Sequence, residues 1–199
     1  NIWAKNLGEG AYLIIDEAFM DTQPEFSVLA EHFEPNMIVL RSFGKFFGLA
    51  GLRLGFVFAN EKLIQTLQKR LGLWAINGPA QSIATVAFKD EAWQQQAREN
   101  ISKAAKLSQT LFTPLFSRLQ QGRKHTHSVF HEELFSSYCL PIKKAEKLSY
   151  FFAERGILLR LIEFNREYSL LRIGSLNPKD KASIRRVEET VDLYLAQTT

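Results

Sequence analysis

The stretch that decides the fold reads Ser42-Phe43-Gly44-Lys45-Phe46-Phe47-Gly48-Leu49-Ala50-Gly51-Leu52-Arg53-Leu54-Gly55. It follows Met37 to Leu40, a short and nearly unbroken apolar run. Such a run is typical of a strand covered on both faces in a parallel α/β sheet. A further apolar run, Leu52 to Ala59, overlaps the end of the stretch and predicts another strand. The stretch therefore predicts two strands joined by a glycine-rich turn that carries Lys45.

Upstream of this stretch lies another apolar run, Tyr12 to Ile15, which also predicts a strand. Phe26 to Phe33 has helical spacing and predicts a connecting helix. Asp16 and Ser42 each stand just past the end of a predicted strand, and ligands of open parallel sheets bind beyond the carboxyl ends of strands. The sequence therefore predicts that a carboxylate, a hydroxyl and the amine of Lys45 converge, with Arg53 able to bring a bidentate guanidinium to the same edge.

Downstream, helical and strand patterns alternate. The apolar spacing predicts helices over Glu61 to Leu71, from Trp93 to near Gly122, over Ile142 to Arg155 and from Pro178, with Asn177 as the cap of the last one. It predicts strands over Ser128 to His131, Ile157 to Ile162 and Ser169 to Ile173. We expect residues 1–92 to be the C-terminal part of a large α/β domain with a mostly parallel sheet, and residues 93–199 to be a small α+β domain.

Composition narrows the class of protein. The 199 residues carry a net charge of +4, spread without a long basic block, which does not indicate nucleic-acid binding. No apolar run approaches the length of a transmembrane helix. The single cysteine allows no disulfide within the chain and favours a reducing compartment such as the cytoplasm. The chain opens on Asn1 and leads almost at once into an apolar strand, so we expect that its beginning is missing.

The predicted cluster of side chains matches what pyridoxal 5'-phosphate (PLP) requires of a protein. Its aldehyde needs a lysine, its pyridine nitrogen needs a carboxylate, and its phosphate needs hydroxyl and guanidinium donors. Lys45, Asp16, Ser42 and Arg53 supply one candidate for each role. PLP is therefore the cofactor that these residues indicate.

Three segments carry a resemblance to a known family: Asp16-Glu17-Ala18-Phe19, the run from Ser42 to Gly55, and Leu171-Arg172-Ile173-Gly174. They resemble the fold-type I PLP enzymes of the aminotransferase superfamily, in the branch that contains histidinol-phosphate aminotransferases and threonine-phosphate decarboxylases. The resemblance runs the length of the chain. It implies a partial large domain of three layers followed by the small domain, and a homodimer.

The resemblance also implies roles for single residues. Lys45 would hold the cofactor and move protons at the substrate Cα, Asp16 would pair with the pyridine nitrogen, and Ala18 would lie against the ring. Ser42 and Arg53 would bind the cofactor phosphate. Arg172 would bind the substrate carboxylate, and Arg160 resembles an arginine that meets the substrate phosphate.

Phe19 is the departure from the pattern of many relatives, which carry a tyrosine whose hydroxyl bonds the cofactor ring oxygen. Phenylalanine has no such donor, so plain transamination is less favoured.

The segments Asp16 to Asp21, Arg41 to Gly55 and Trp74 to Ala80 most resemble the decarboxylases of cobalamin synthesis. This implies decarboxylation of O-phospho-threonine as the leading hypothesis and histidinol-phosphate transamination as its alternative. The bond that breaks is the one held perpendicular to the cofactor ring, and sequence does not measure that angle.

Other interpretations stay open at this point. Ser42-x-x-Lys45 is also a nucleophile pattern of penicillin-binding proteins, whose further motifs are not present. Asp16-Glu17 could cap a helix, and Arg172 could pair with a surface carboxylate. A metal site is the alternative for three histidines of like parity, His125, His127 and His131. A non-catalytic PLP-type sensor domain is the rival from another functional class.

Overall fold

The structure, a computed structural model, describes residues 2–30, 33–120 and 129–197. The chain divides into two compact units, Asn1–Gln96 and Ala97–Thr199. This division falls inside one long helix, α4 (Glu91–Gln120). In the described residues no helix is both long and apolar enough to cross a bilayer.

The sheet of the first unit has three strands: β1 (Leu13–Asp16), β2 (Met37–Ser42) and β3 (Gly55–Phe58). β1 and β2 are parallel, and Asp16 lies opposite Leu40. β3 is antiparallel to β2, with Gly55 opposite Ser42. The predicted third strand is thus shorter than Leu52 to Ala59, because Ala50–Leu52 forms a 3-10 turn before it. The antiparallel return brings Arg53 back to the end of β2 that carries Ser42.

The predicted helix over Phe26 to Phe33 is wrong for the residues that the structure describes, and residues 31 and 32 lie outside them. Short 3-10 turns, Pro24–Phe26 and Val28–Ala30, replace it. The Val28 N–H donates to a Glu17 carboxylate oxygen at 2.8 Å, and the Leu29 N–H donates to Ser27 Oγ at 3.1 Å. Backbone donors that an α-helix would use internally are committed to side chains here.

In its described residues, the first unit contains three helices and the start of a fourth. They are α1 (Ile2–Lys5), α2 (Glu61–Leu71), α3 (Gly78–Lys89) and the start of α4. The prediction for α2 is confirmed at both ends. Asn60 Oδ1 accepts from the Leu63 N–H at 2.9 Å. Asn77 Oδ1 accepts from the Ala80 N–H at 2.8 Å, so the break in the pattern at Asn77 is the start of α3.

The second unit packs helices against an antiparallel sheet of order β4-β5-β7-β6. Its elements after α4 are β4 (Val129–His131), β5 (Phe135–Pro141), α5 (Ile142–Ala153), β6 (Arg160–Glu163), β7 (Tyr168–Gly174) and α6 (Lys181–Gln197). One core joins them, and its fully buried members include Leu115, Leu140, Leu148, Phe152 and Leu171. The apolar spacing that predicts the last helix matches its buried side, since Ile184, Val187 and Val191 are buried.

In the second unit one strand was not predicted, and two predictions need correction. β5 is absent from the predicted elements because Ser136 and Ser137 interrupt its apolar pattern, although Ser136 to Leu140 are all buried. The strand predicted from Ile157 begins only at Arg160, after a turn at Gly156 with φ of 73°. The last helix is capped by Asp180, whose Oδ1 accepts from the Ser183 N–H at 3.0 Å, and Asn177 instead accepts from Lys179.

Candidate active site

The turn that carries Lys45 is fixed by close backbone contacts. A Cβ added at Gly44 would lie 2.9 Å from Ala50 Cα, so only glycine fits without displacement of the backbone. Gly48 adopts a φ of 69°, a conformation that glycine adopts without strain. The Phe43 N–H donates to Leu54 O at 3.2 Å. The chain is therefore folded back tightly, and the turn has little room to change shape.

Packing among buried aromatic rings fixes the turn that carries Lys45. Phe43, Phe46 and Phe47 are buried, at 1%, 5% and 8% exposure. The Phe43 and Phe47 rings stack with centroids 4.3 Å apart, and Phe88 of α3 meets Phe43 edge to face at 5.3 Å. The Trp93 ring stacks on Phe47 at 5.8 Å. These contacts anchor the residues on both sides of Lys45.

Lys45 itself is exposed, between the half-buried Gly44 and the buried Phe46. Its ammonium lies 5.3 Å from the centroid of the Phe19 ring. That distance permits a cation–π contact with the ring face. The structure therefore brings two of the predicted site residues together and presents a primary amine at the surface of the first unit.

The other predicted groups lie at the same edge of the sheet. Asp16 ends β1, and its Oδ1 accepts from the Ala18 N–H at 2.9 Å, which orients the carboxylate and places Ala18 beside it. Ser42 ends β2, and its Oγ accepts from the Gly44 N–H at 3.3 Å. Arg53 has a left-handed backbone with φ of 56°, and its Nη1 donates to Ala50 O at 3.2 Å.

These groups share an edge without touching one another. In residues 2–30 and 33–96, no hydrogen bond or ion pair joins Asp16, Ser42, Lys45 and Arg53 directly. Asp16 lines a cavity of about 620 Å³, and Ser42 lines a different cavity of about 410 Å³. Asp16, Lys45 and Arg53 are exposed and Ser42 is half-buried, so each of them is accessible from the surface of the first unit.

The second unit pairs two predicted substrate residues. Arg160 of β6 lies directly opposite Arg172 of β7, so their side chains leave the same face of the sheet. Ser137 of β5 is opposite Arg172 on its other side. The Arg172 guanidinium lies 4.8 Å from the Phe135 ring centroid, so its described contact is with an aromatic ring rather than a surface carboxylate. Like charges directly opposite each other repel, which favours an anion at this face.

Sequence reasoning missed the buried charges beside the site. Glu17 was considered only as a possible helix cap, but it is 2% exposed and forms an ion pair with Arg41, whose Nε lies 2.9 Å from Glu17 Oε2. Arg41 Nη1 donates to Asp21 Oδ1 at 2.7 Å. The sequence signal that could have found these residues is their position, since each adjoins or lies near a predicted site residue at a strand end.

Of the three histidines considered as metal ligands, His131 lies in the part of the chain that the structure describes. His125 and His127 lie outside the described residues. His131 Nδ1 lies 2.9 Å from Ser136 Oγ, so a hydroxyl already occupies that ring nitrogen. The part of the chain that the structure describes has no cluster of three or more His, Cys, Asp or Glu side chains placed to hold a metal ion.

The first unit thus has a surface lysine in a rigid turn at the carboxyl edge of parallel strands, flanked by a carboxylate, a hydroxyl and a guanidinium. A carbonyl cofactor with a phosphate tail needs each of these groups, so the donor set is the one expected of a lysine-dependent cofactor enzyme. The residues present fit PLP in kind: one amine, one carboxylate for a ring nitrogen, and donors for a phosphate.

Comparison with known proteins agrees with that class. The sequence pattern of aminotransferases of class I and II matches residues 3–180, and the chain belongs to this family. The threonine-phosphate decarboxylase of Pseudomonas aeruginosa is 37% identical over 179 residues, which cover 90% of this chain and 49% of that protein. The histidinol-phosphate aminotransferase of Sodalis glossinidius is 43% identical over 88 residues, 43% of this chain and 24% of that protein.

A solved structure confirms the predicted α/β fold. The histidinol-phosphate aminotransferase of Sinorhizobium meliloti, solved in complex with pyridoxal-5'-phosphate, matches with a TM-score of 0.70 and 19% identity, over 97% of this chain and 52% of that one. The chain spans about half the length of the P. aeruginosa decarboxylase and of the S. meliloti enzyme. PLP is the cofactor of this enzyme family.

Proposed function

We propose that this chain is part of a PLP-dependent enzyme that decarboxylates a phosphorylated amino acid, with threonine phosphate as the substrate and cobalamin synthesis as its use. The observation that carries the proposal is the placement of Lys45, exposed in a rigid turn with its ammonium at the Phe19 ring. The 37% identity to a threonine-phosphate decarboxylase over 90% of the chain supports the choice of reaction.

In this proposal the first unit holds the cofactor. Lys45 would hold the cofactor through Nζ, Asp16 would pair with its pyridine nitrogen, and Ser42 Oγ and the Arg53 guanidinium would donate to its phosphate. Ala18 and Phe19 follow Asp16 in the same segment and would contact the cofactor. When bound, PLP supplies an electron sink for the pair that remains on the substrate Cα.

The chemistry left to the protein is orientation and proton transfer. Decarboxylation breaks the bond from Cα to the carboxylate carbon, carbon dioxide leaves, and a proton takes its place on Cα. Lys45 Nζ would deliver this proton after the substrate amine has taken its place and left it a free amine, since an ammonium can act as a general acid. Phe19 adds no hydroxyl that would compete for a hydrogen bond at this place.

We propose that the two arginines of the second unit, Arg160 and Arg172, bind the acidic groups of the substrate. A phosphorylated amino acid carries a carboxylate and a phosphate, and both accept bidentate hydrogen bonds from guanidinium groups. Arg172 and Arg160 lie opposite each other on neighbouring strands, so a ligand with two acidic groups would relieve their repulsion. We assign the carboxylate to Arg172 and the phosphate to Arg160.

Histidinol-phosphate transamination is the second candidate. The 43% identity to the S. glossinidius enzyme over 88 residues favours it. Its substrate also carries a phosphate, so the arginine pair alone does not separate the two reactions. The separation rests on whether Cα loses its carboxylate or its proton.

Product analysis by mass spectrometry tests the choice. Protein expressed from the complete gene is incubated with PLP and O-phospho-threonine, and separately with histidinol phosphate and 2-oxoglutarate. The proposal predicts carbon dioxide and a phosphorylated aminopropanol from the first mixture. Glutamate from the second mixture, with no carbon dioxide from the first, would refute decarboxylation and identify the reaction as histidinol-phosphate transamination.

Replacement of Arg172 tests the substrate assignment. Arg172→Gln removes a charged donor while keeping a polar side chain, and we expect KM for O-phospho-threonine to rise about 10- to 100-fold, as loss of a charge-assisted hydrogen bond predicts. Arg185→Gln is the matched control, because Arg185 is exposed on α6 and pairs with Glu189. An equal KM for the two variants would refute the assignment.

A further inference from the structure

We propose that Glu17 and Arg41 are positioning residues, whose buried ion pair sets the separation between the Asp16–Phe19 segment and the turn that carries Lys45. This inference rests on the function proposed above, because it assigns a role within the same site. Neither residue needs to touch the cofactor or the substrate for this role.

Glu17 is enclosed by donors. Its side chain is 1% exposed, and Oε2 lies 2.9 Å from Arg41 Nε as an ion pair. Ser27 Oγ donates to the same oxygen at 2.7 Å, and the Val28 N–H donates to Oε1 at 2.8 Å. Both carboxylate oxygens are therefore occupied, and the orientation of the side chain is fixed.

Arg41 also binds two other residues of the segment that contains Glu17. Its Nη1 donates to Asp21 Oδ1 at 2.7 Å, and its Nη2 donates to Ser27 Oγ at 2.9 Å. Glu17, Asp21 and Ser27 all belong to the segment after β1, whereas Arg41 belongs to β2. One guanidinium thus binds three points of that segment and holds it against the end of the second strand.

Glu17 and Arg41 are each next in sequence to a predicted site residue. Glu17 is covalently next to Asp16 and two residues before Phe19, and its N–H donates to Leu40 O at 2.8 Å. Arg41 is covalently next to Ser42. A shift at the ion pair therefore moves the carboxylate and Phe19 on one side and the start of the Lys45 turn on the other.

Stability alone is a poor explanation for these charges. Two carboxylates share one guanidinium in a largely buried place, and the desolvation of such groups often exceeds what their attraction returns. A rigid planar guanidinium with hydrogen bonds to Asp21 and Ser27 and an ion pair with Glu17 provides a fixed register between two segments. That register matters at a site where a displacement of about 1 Å costs about 100-fold in rate.

The test uses Glu17→Gln and Asp21→Asn in protein expressed from the complete gene and loaded with PLP. Asp21→Asn guards against failure to fold, because Asp21 lies at the rim with a side chain 23% exposed. We expect kcat to fall about 10- to 100-fold. We expect KM to stay within about twofold, and the midpoint pH of the visible absorbance change of bound PLP to move. A variant that melts at a lower temperature with kcat and the midpoint unchanged would overturn the inference and leave a structural role.

The control is Arg185→Ala, which breaks an exposed ion pair whose Nε and Oε1 atoms lie 2.7 Å apart. All three measurements should equal those of the unaltered protein. If the unaltered protein shows no visible absorbance with PLP, the proposed function fails and the inference fails with it. If it absorbs and Glu17→Gln and Asp21→Asn behave as the unaltered protein does, only the inference fails.

Discussion

Strand β5 and the Lys45 turn both contain buried residues, but burial has different consequences in them. In β5, Ser136 to Leu140 are buried without interruption, and the strand lies at the centre of its unit's sheet. In the turn, buried Phe43 and Phe46 flank an exposed lysine. Burial in β5 stabilises the second unit, whereas burial in the turn serves to hold a charged side chain at the surface. Substitutions in the two regions should therefore separate activity from stability.

The largest effect is expected at Lys45. Lys45→Ala should abolish covalent capture of PLP, detected by borohydride reduction and mass spectrometry, and lower kcat at least about 100- to 10,000-fold, the contribution of a positioned acid or base. The melting temperature should change little, because the side chain is exposed. Lys62→Ala, at an exposed lysine of α2, is the control. Capture of PLP by the Lys45→Ala protein would remove this residue from the proposed role.

The core of the second unit should show the reverse behaviour. Phe152 is fully buried, so Phe152→Ala should lower the free energy of unfolding by about 3 to 5 kcal/mol. The kcat per folded molecule should stay near that of the unaltered protein. Tyr150→Ala on the same helix is the control, since Tyr150 is 68% exposed. Urea denaturation measures the difference, and equal losses in the two variants would contradict the assigned core.

Substitution of Gly44 should lower both stability and activity, unlike the substitutions at Lys45 and Phe152. In Gly44→Ala the new Cβ would lie 2.9 Å from Ala50 Cα, so the turn must shift. We expect a loss of about 1 to 3 kcal/mol in the free energy of unfolding, as for other overpacked sites. A fall in kcat should accompany it, because Lys45 moves with the turn. Gly51→Ala is the control, since a Cβ there meets nothing within 4 Å. An unchanged kcat in Gly44→Ala would show that the turn tolerates displacement.

The smallest effect is expected from alkaline pH. Burial raises the pKa of Tyr138 above its ordinary value, and a hydrogen bond with Ser136 offsets part of the rise. The unfolded chain then loses this proton first, so the stabilisation is full below about pH 10 and is lost as pH rises through the folded-state pKa. Urea denaturation of Tyr138→Phe should show a weaker alkaline loss than the unaltered protein. Tyr150→Phe, which changes an exposed tyrosine of α5, is the control.

The sequence by itself determined the elements whose signals are local. The bounds of α2, the long helix α4 and the glycine-rich turn around Lys45 follow from spacing, capping residues and glycines within a few positions of each other. The choice of family followed in the same way, from three short segments that carry the cofactor-binding residue types.

Only the tertiary structure decided which distant groups meet. The Glu17 carboxylate takes backbone donors from Val28, so 3-10 turns form where helical spacing predicted a helix. The antiparallel direction of β3, the buried strand β5 and the opposition of Arg160 to Arg172 depend on pairing between strands far apart in sequence. Hydrophobic periodicity reports how each segment is covered, but it does not identify the partner that covers it. Side-chain hydrogen bonds and strand register supply that information, and both are set by the packing of the folded chain.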